Sequence, residues 1–69
     1  MIYGIVYYTK DGKGYLFQQA FEEQHAMEIA GKMNDLLATG ATMYNDKFYG
    51  KLDLRDVDYF TVEPSSEMY

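Results

Sequence analysis

Only one stretch of this chain repeats its apolar residues at the helical period. Within Glu22 to Thr39, residues Ala26, Ile29, Ala30, Met33 and Leu37 fall at i, i+3, i+4, i+7 and i+11. The segments on either side are patterned as strands and turns, and one helix covers only one face of a sheet. The expected architecture is therefore α+β, a small ββαββ domain whose antiparallel sheet has one helix packed on one face. Glu22 and Glu23 sit in the first helical turn, where the helix dipole favours anions, and Glu28 and Lys32 form an i,i+4 pair. Gly40 is placed to end the helix in a left-handed cap. Gly31, inside the helix, costs about 1 kcal/mol relative to Ala unless it allows a close backbone approach.

Residues 2 to 9 and 14 to 20 read as a hairpin about Asp11-Gly12-Lys13-Gly14, since Asp-Gly adopts the positive φ of tight turns. A two-residue loop pairs Lys10 with Lys13, Tyr8 with Tyr15, Val6 with Phe17 and Gly4 with Gln19, and a four-residue loop keeps the same sorting by face. One face then carries Ile2, Gly4, Val6, Tyr8, Tyr15 and Phe17. The other carries Tyr3, Ile5, Tyr7, Leu16 and Gln18. The first is the expected core face, because its aliphatic residues and central glycine suit a close helix. Tyr3, Ile5, Tyr7 and Leu16 are then the expected partner-binding surface, with Asp56 and Asp58 as acidic side chains tuning association.

In the second half, Asn45-Asp46 reads as a turn between Met43-Tyr44 and Phe48-Tyr49, and Val57 to Val62 as a strand. Leu52 to Asp56 reads as a helical turn or a loop. Pro64 is expected to end the pairing, giving one domain over residues 1–63 and a flexible tail over 64–69. The expected core joins Ile29, Met33 and Leu37 to Val6, Phe17, Phe60 and Val62.

With 69 residues and no cysteine, the chain lies near the size at which a single core barely suffices, and disulfides and thiolate metal sites are absent. Association is the remaining source of added stability. Eleven acidic against six basic residues give a net charge of -5, which opposes direct binding to nucleic acid. A base-stacking sheet would need more basic residues than Lys10, Lys13, Lys47 and Lys51. His25 stands alone on the polar side of the helix, and Asp53, Asp56 and Asp58 lack the order of a calcium loop. Gly12-Lys13-Gly14 is too short for a phosphate loop. These features lead to the expectation of no enzyme activity, no metal and no cofactor. The lack of an apolar run near ~20 residues argues against a membrane span, and the lack of a signal-peptide pattern leads to the expectation of a soluble cytoplasmic protein.

A small, acidic, cysteine-free, tyrosine-rich chain beginning at Met1 resembles the short inhibitor proteins that phages encode against host defences, including anti-CRISPR proteins. The resemblance covers the whole chain as a compositional type. It implies a stoichiometric binder of a host or defence protein complex, such as one that binds nucleic acid, acting in the host cytoplasm. The alternative is a structural or regulatory homodimer that uses the exposed sheet face for self-association.

Overall fold

The computed structural model describes residues 1–47 and 50–64. Its elements run β1 (Tyr3–Thr9), β2 (Gly14–Ala20), α1 (Glu23–Ala38), β3 (Met43–Asp46), β4 (Gly50–Asp53) and β5 (Val57–Pro64). The strands form two antiparallel sheets, one ordered β2-β1-β5 and the other β3-β4, with the helix packed against the larger sheet. The expected α+β class with one helix on one sheet face is what the chain adopts.

The first hairpin turns through three residues. Gly12 N–H donates to Thr9 C=O at 2.9 Å, Gly12 adopts φ 89°, and Thr9 N–H donates to Lys13 C=O at 2.8 Å. A type I turn closed by a left-handed glycine is a common three-residue hairpin loop. This odd loop changes the register next to the turn, so Tyr8 pairs with Gly14 and Tyr7 with Tyr15, not Tyr8 with Tyr15. A bulge then absorbs the difference. Ile5 pairs with Gln18 and Val6 with Leu16, leaving Phe17 as the extra residue, and Gly4 still meets Gln19 as the alternation requires.

These two irregularities, together with β5, determine which face is buried. In β5, Val57, Phe60 and Val62 share a face, whereas Tyr59, Thr61 and Glu63 share the other; Asp58 is the extra residue of a second bulge, between Tyr8–Tyr59 and Thr9–Val57. Ile5 lies opposite Val62 and Tyr7 opposite Phe60. The polar alternates of β5 require solvent, so its apolar set turns toward the helix and brings Tyr3, Ile5 and Tyr7 with it. The core face is thus the reverse of the one expected from the hairpin alone. Ile5 is 0% exposed, and Tyr3 and Tyr7 pack against the core, while Val6 and Tyr8 occupy the opposite face.

Ala26, Ala30 and Met33 are the buried helix residues, and Ile29, Leu36 and Leu37 pack beside them half-buried. Alanines at the contact let the helix lie close to the strands, with Leu54, Val57 and Phe60 completing the cluster. The helix ends as expected at Gly40, φ 83°. Gly40 N–H donates to Leu37 C=O at 3.1 Å and Ala41 N–H to Leu36 C=O at 3.2 Å, the paired bonds of a Schellman cap.

The β3-β4 hairpin covers the rest of the core face. Tyr44 meets Phe17 edge-on at 6.0 Å, Gln18 Nε2 donates to Asp46 Oδ2 at 2.9 Å, and Leu52 packs on the core. Asn45 and Asp46 belong to strand β3 and do not form a turn; β3 and β4 run antiparallel with Asp46 opposite Gly50, which adopts φ 86°. Phe48 and Tyr49, expected to follow the turn, lie outside the described residues, as does 65–69 of the expected tail. Leu52 and Asp53 are in strand β4, and Leu54 to Val57 form a turn closed by Val57 N–H donating to Leu54 C=O at 3.2 Å. Pro64 still pairs, opposite Tyr3, as the last residue of β5.

Truncating Ile5 to Ala removes the centre of this core and is expected to cost about 2–5 kcal/mol, read as a lowered thermal midpoint; an unchanged melt would contradict the assigned face. A Cβ at Gly31 meets nothing within 4 Å and the residue is exposed, so no close approach accounts for this glycine. Gly31→Ala is expected to stabilise the domain by about 0.5–1 kcal/mol in denaturant melts.

Candidate interaction surface

Once helix and hairpin cover one face of the larger sheet, its other face has no covering element among the described residues. That face presents Val6 and Tyr8 from β1, Gly14, Leu16 and Gln19 from β2, and Tyr59, Thr61 and Glu63 from β5. Leu16 and Tyr59 are close to half exposed, at 47% and 45%. Large apolar side chains with this exposure, carried on the two strands that flank β1, are the type of surface that proteins use to bind one another.

Tyr8 organises the patch. Its ring stacks on Tyr59 with centroids 5.2 Å apart and planes at 26°. On the other side it lies over Gly14, where a Cβ would fall 2.8 Å from ring carbon Cε1, so only glycine fits beneath it without displacement. The Tyr8 hydroxyl donates to Glu63 Oε2, and Thr61 Oγ1 donates to the same oxygen at 3.2 Å. The hydrogen bond to Glu63 raises the Tyr8 pKa above its ordinary value of 10.0, with desolvation and the Glu63 charge acting in the same direction. The phenol therefore remains a neutral donor through the physiological range. Its tip is hydrogen-bonded, and its ring stacks beside Tyr59.

The structure separates the expected partner-binding residues. Leu16 lies on the open face. Ile5 is buried, and Tyr3 and Tyr7 are half-buried on the core side, where the Tyr7 ring stacks on Tyr15 at 5.4 Å and tilts against Phe60 at 5.7 Å. Burial, and to a lesser extent Tyr15, raises the Tyr7 pKa. The hairpin carries two apolar faces, one more than a single helix covers, and the spare face is the one with Val6, Tyr8 and Leu16. Tyr8 and Tyr59 were missed as surface residues; the signal that finds them is the alternation Tyr59-Phe60-Thr61-Val62-Glu63, applied across the ladder to β1.

Asp56 and Asp58 are exposed at and just before the start of β5, three and one residues from Tyr59. Asp56 C=O accepts from Lys10 N–H at 2.9 Å, tying the turn before β5 to the first hairpin. Asp53 is turned to a different partner. It accepts from Arg55 N–H at 2.9 Å and from Arg55 Nη2 at 2.6 Å, a local clamp closing the turn. No group of three or more metal-ligating side chains converges among the described residues. His25 is exposed on the first turns of α1 beside Glu22, Gln24 and Glu28. No described helix is long and apolar enough to cross a membrane.

Compared with protein-family models, curated proteins and solved structures, the chain has no match.

The hydrogen bonds from the Arg55 side chain and backbone lower the Asp53 pKa from 3.8 to about 2. A depressed carboxylate stabilises the fold fully above its unfolded value and loses that contribution as pH falls through its folded value, so this clamp should release between pH 3.8 and about 2. Carboxyl NMR of the folded protein should place the Asp53 midpoint near the lower value, and Arg55→Ala should return it toward 3.8. A midpoint unaffected by Arg55→Ala would rule out the clamp.

Proposed function

We propose that this chain is a non-catalytic protein-binding module that engages a protein partner through the open sheet face of Val6, Tyr8, Leu16, Tyr59 and Thr61. The observation behind the reading is the Tyr8–Tyr59 stack, anchored by Glu63, on a face that no other element covers among the described residues. A rigid aromatic pair supplies contact area with little further loss of side-chain freedom on binding, and tyrosine tolerates water when the partner is absent. Asp56 and Asp58 beside it add an acidic margin that would steer a basic partner and raise the association rate more than the affinity.

Within that reading, the compositional resemblance to phage-encoded inhibitors favours a stoichiometric blocker of a host or defence protein complex, including one whose own surface is basic because it handles nucleic acid. The net charge of -5 fits such a target better than it fits nucleic acid itself.

Capture of bacterial lysate proteins by the tagged chain tests the reading. Tyr59→Ala is expected to weaken capture of the same partner by roughly thirtyfold, the effect of about 2 kcal/mol at an interface centre, and Thr61→Arg to abolish it. Met27→Ala, on the exposed helix surface, should leave capture unchanged. Capture undisturbed by both sheet substitutions would reject the open face. Loss of all binding in high salt would transfer the affinity to the acidic residues.

A further inference from the structure

The two edges of the larger sheet are finished differently. On β5, Phe60 N–H donates to Asn34 Oδ1 at 2.8 Å and Phe60 C=O accepts from Asn34 Nδ2 at 3.0 Å. A helix side chain thus fills the place where the backbone of a neighbouring strand would bond. At the end of the same strand Pro64 has no N–H to offer. Val62, between them in the alternation, keeps its backbone groups turned outward, as Pro64 does its C=O.

On the opposite edge no described side chain bonds to the backbone in this way, although Gly50, Lys51 and Leu52 of β4 border a hollow with Leu16 and Phe17. Because Phe60 turns its backbone groups away from β1, its partner Tyr7 directs its own toward β2, where Tyr15 answers them. The Thr9–Lys13 bond has the same parity. Gly14 and Leu16, flanking Tyr15, therefore direct N–H and C=O away from the sheet. No group among the described residues bonds to them. From Gly14 through Phe21 the sequence GYLFQQAF contains no charged residue, in a chain whose net charge is -5. Tyr15, Leu16 and Phe21 are all exposed large hydrophobics. Exposed edges are ordinarily protected by charge, proline or a covering element.

We propose that β2 pairs with β2 of a second copy of this chain, antiparallel, about a two-fold axis at Tyr15. With that axis, Gly14 faces Leu16 of the second copy and Leu16 faces its Gly14, so every outward backbone group of the two residues finds a partner and none is left over. The match of side chains, Leu16 against Gly14 on both sides of the axis, favours a second copy over a foreign strand. Leu16 projects onto the open face above the second copy's Gly14, which has no Cβ, and beside the Tyr8 ring that lies over it. On the other face the two Tyr15 residues meet, each already stacked on its own Tyr7 at 5.4 Å. No residue of β2 itself is charged, so the strands in the seam add no like-charge pair to two acidic chains. The pair of three-stranded sheets becomes one continuous sheet, and the open faces of both copies lie on the same side.

Sedimentation equilibrium from about 1 μM to 1 mM tests the pairing. The unmodified chain is expected to dimerise with rising concentration. Leu16→Lys, which places a charge at the edge, and Leu16→Pro, which deletes an outward N–H and no bond of the β1-β2 ladder, should each raise the dimer dissociation constant more than about tenfold while circular dichroism shows a folded monomer. If Leu16→Pro does not fold, Leu16→Lys, whose backbone is unchanged, decides alone. A monomer throughout the range, a dimer indifferent to Leu16→Lys, or open-ended assemblies in place of a closed pair would each overturn the proposal. A monomer that still captured a partner sensitive to Tyr59→Ala would overturn the dimer and leave the open-face reading standing.

Discussion

The burial of Ile5 organises the rest of the fold. It lies at the middle of the central strand, fully shielded, between Gln18 on β2 and Val62 on β5, in one cluster with Ala26, Ala30 and Met33 of the helix. A strand cannot bury Ile5 without sending Val6 to the opposite side, and period-two alternation carries that consequence to Tyr8, Tyr59 and Leu16. In a domain of this size the core has few other large side chains to spare, and the other strands must adapt to this one.

They do so by two local irregularities. The three-residue loop at Lys10-Asp11-Gly12 sets Tyr15 beside Tyr7, and the bulge at Phe17 then lets Phe17, Gln18 and Ala20 all serve the covered side. The bulge at Asp58 does the same for Val57 and Phe60, which are three residues apart and would lie on opposite faces of a regular strand. Each extra residue keeps the buried set together where strict alternation would divide it. Among the described residues, the resulting sheet has one face closed by helix and hairpin, one face open with a stacked tyrosine pair, one edge capped at Phe60 by Asn34, and one edge without such a cap.

Much of this was legible in the chain. The helix from Glu23 to Ala38, its Gly40 terminus, the first hairpin and the last strand follow from periodicity and glycine chemistry that act over a few residues. The face of the hairpin was not legible from the hairpin, because both of its faces are apolar and a bulge changes the register without a distinctive residue at Phe17. That choice is made by a strand almost sixty residues away in sequence, whose polar alternates Thr61 and Glu63 cannot be buried. Asn45 and Asp46, read as turn formers, lie in a strand because Asp46 has a hydrogen-bond donor in Gln18. Local preference gave way there to a tertiary contact. Leu16 was recognisable as a surface residue; Tyr3, Ile5 and Tyr7 were assigned to the wrong side by the same reversal that hid Tyr8 and Tyr59.

The account stands or falls on which face of the larger sheet meets solvent. Hydroxyl-radical footprinting of the dilute, folded protein reads this directly, because reactivity tracks side-chain exposure. Tyr59 and Leu16 should be oxidised readily and Ile5 and Phe60 protected, with Met27 modified and Met33 spared as internal standards for the helix face. Oxidation of Ile5 together with protection of Tyr59 would mean that the opposite face is buried, and the open surface described here would not exist.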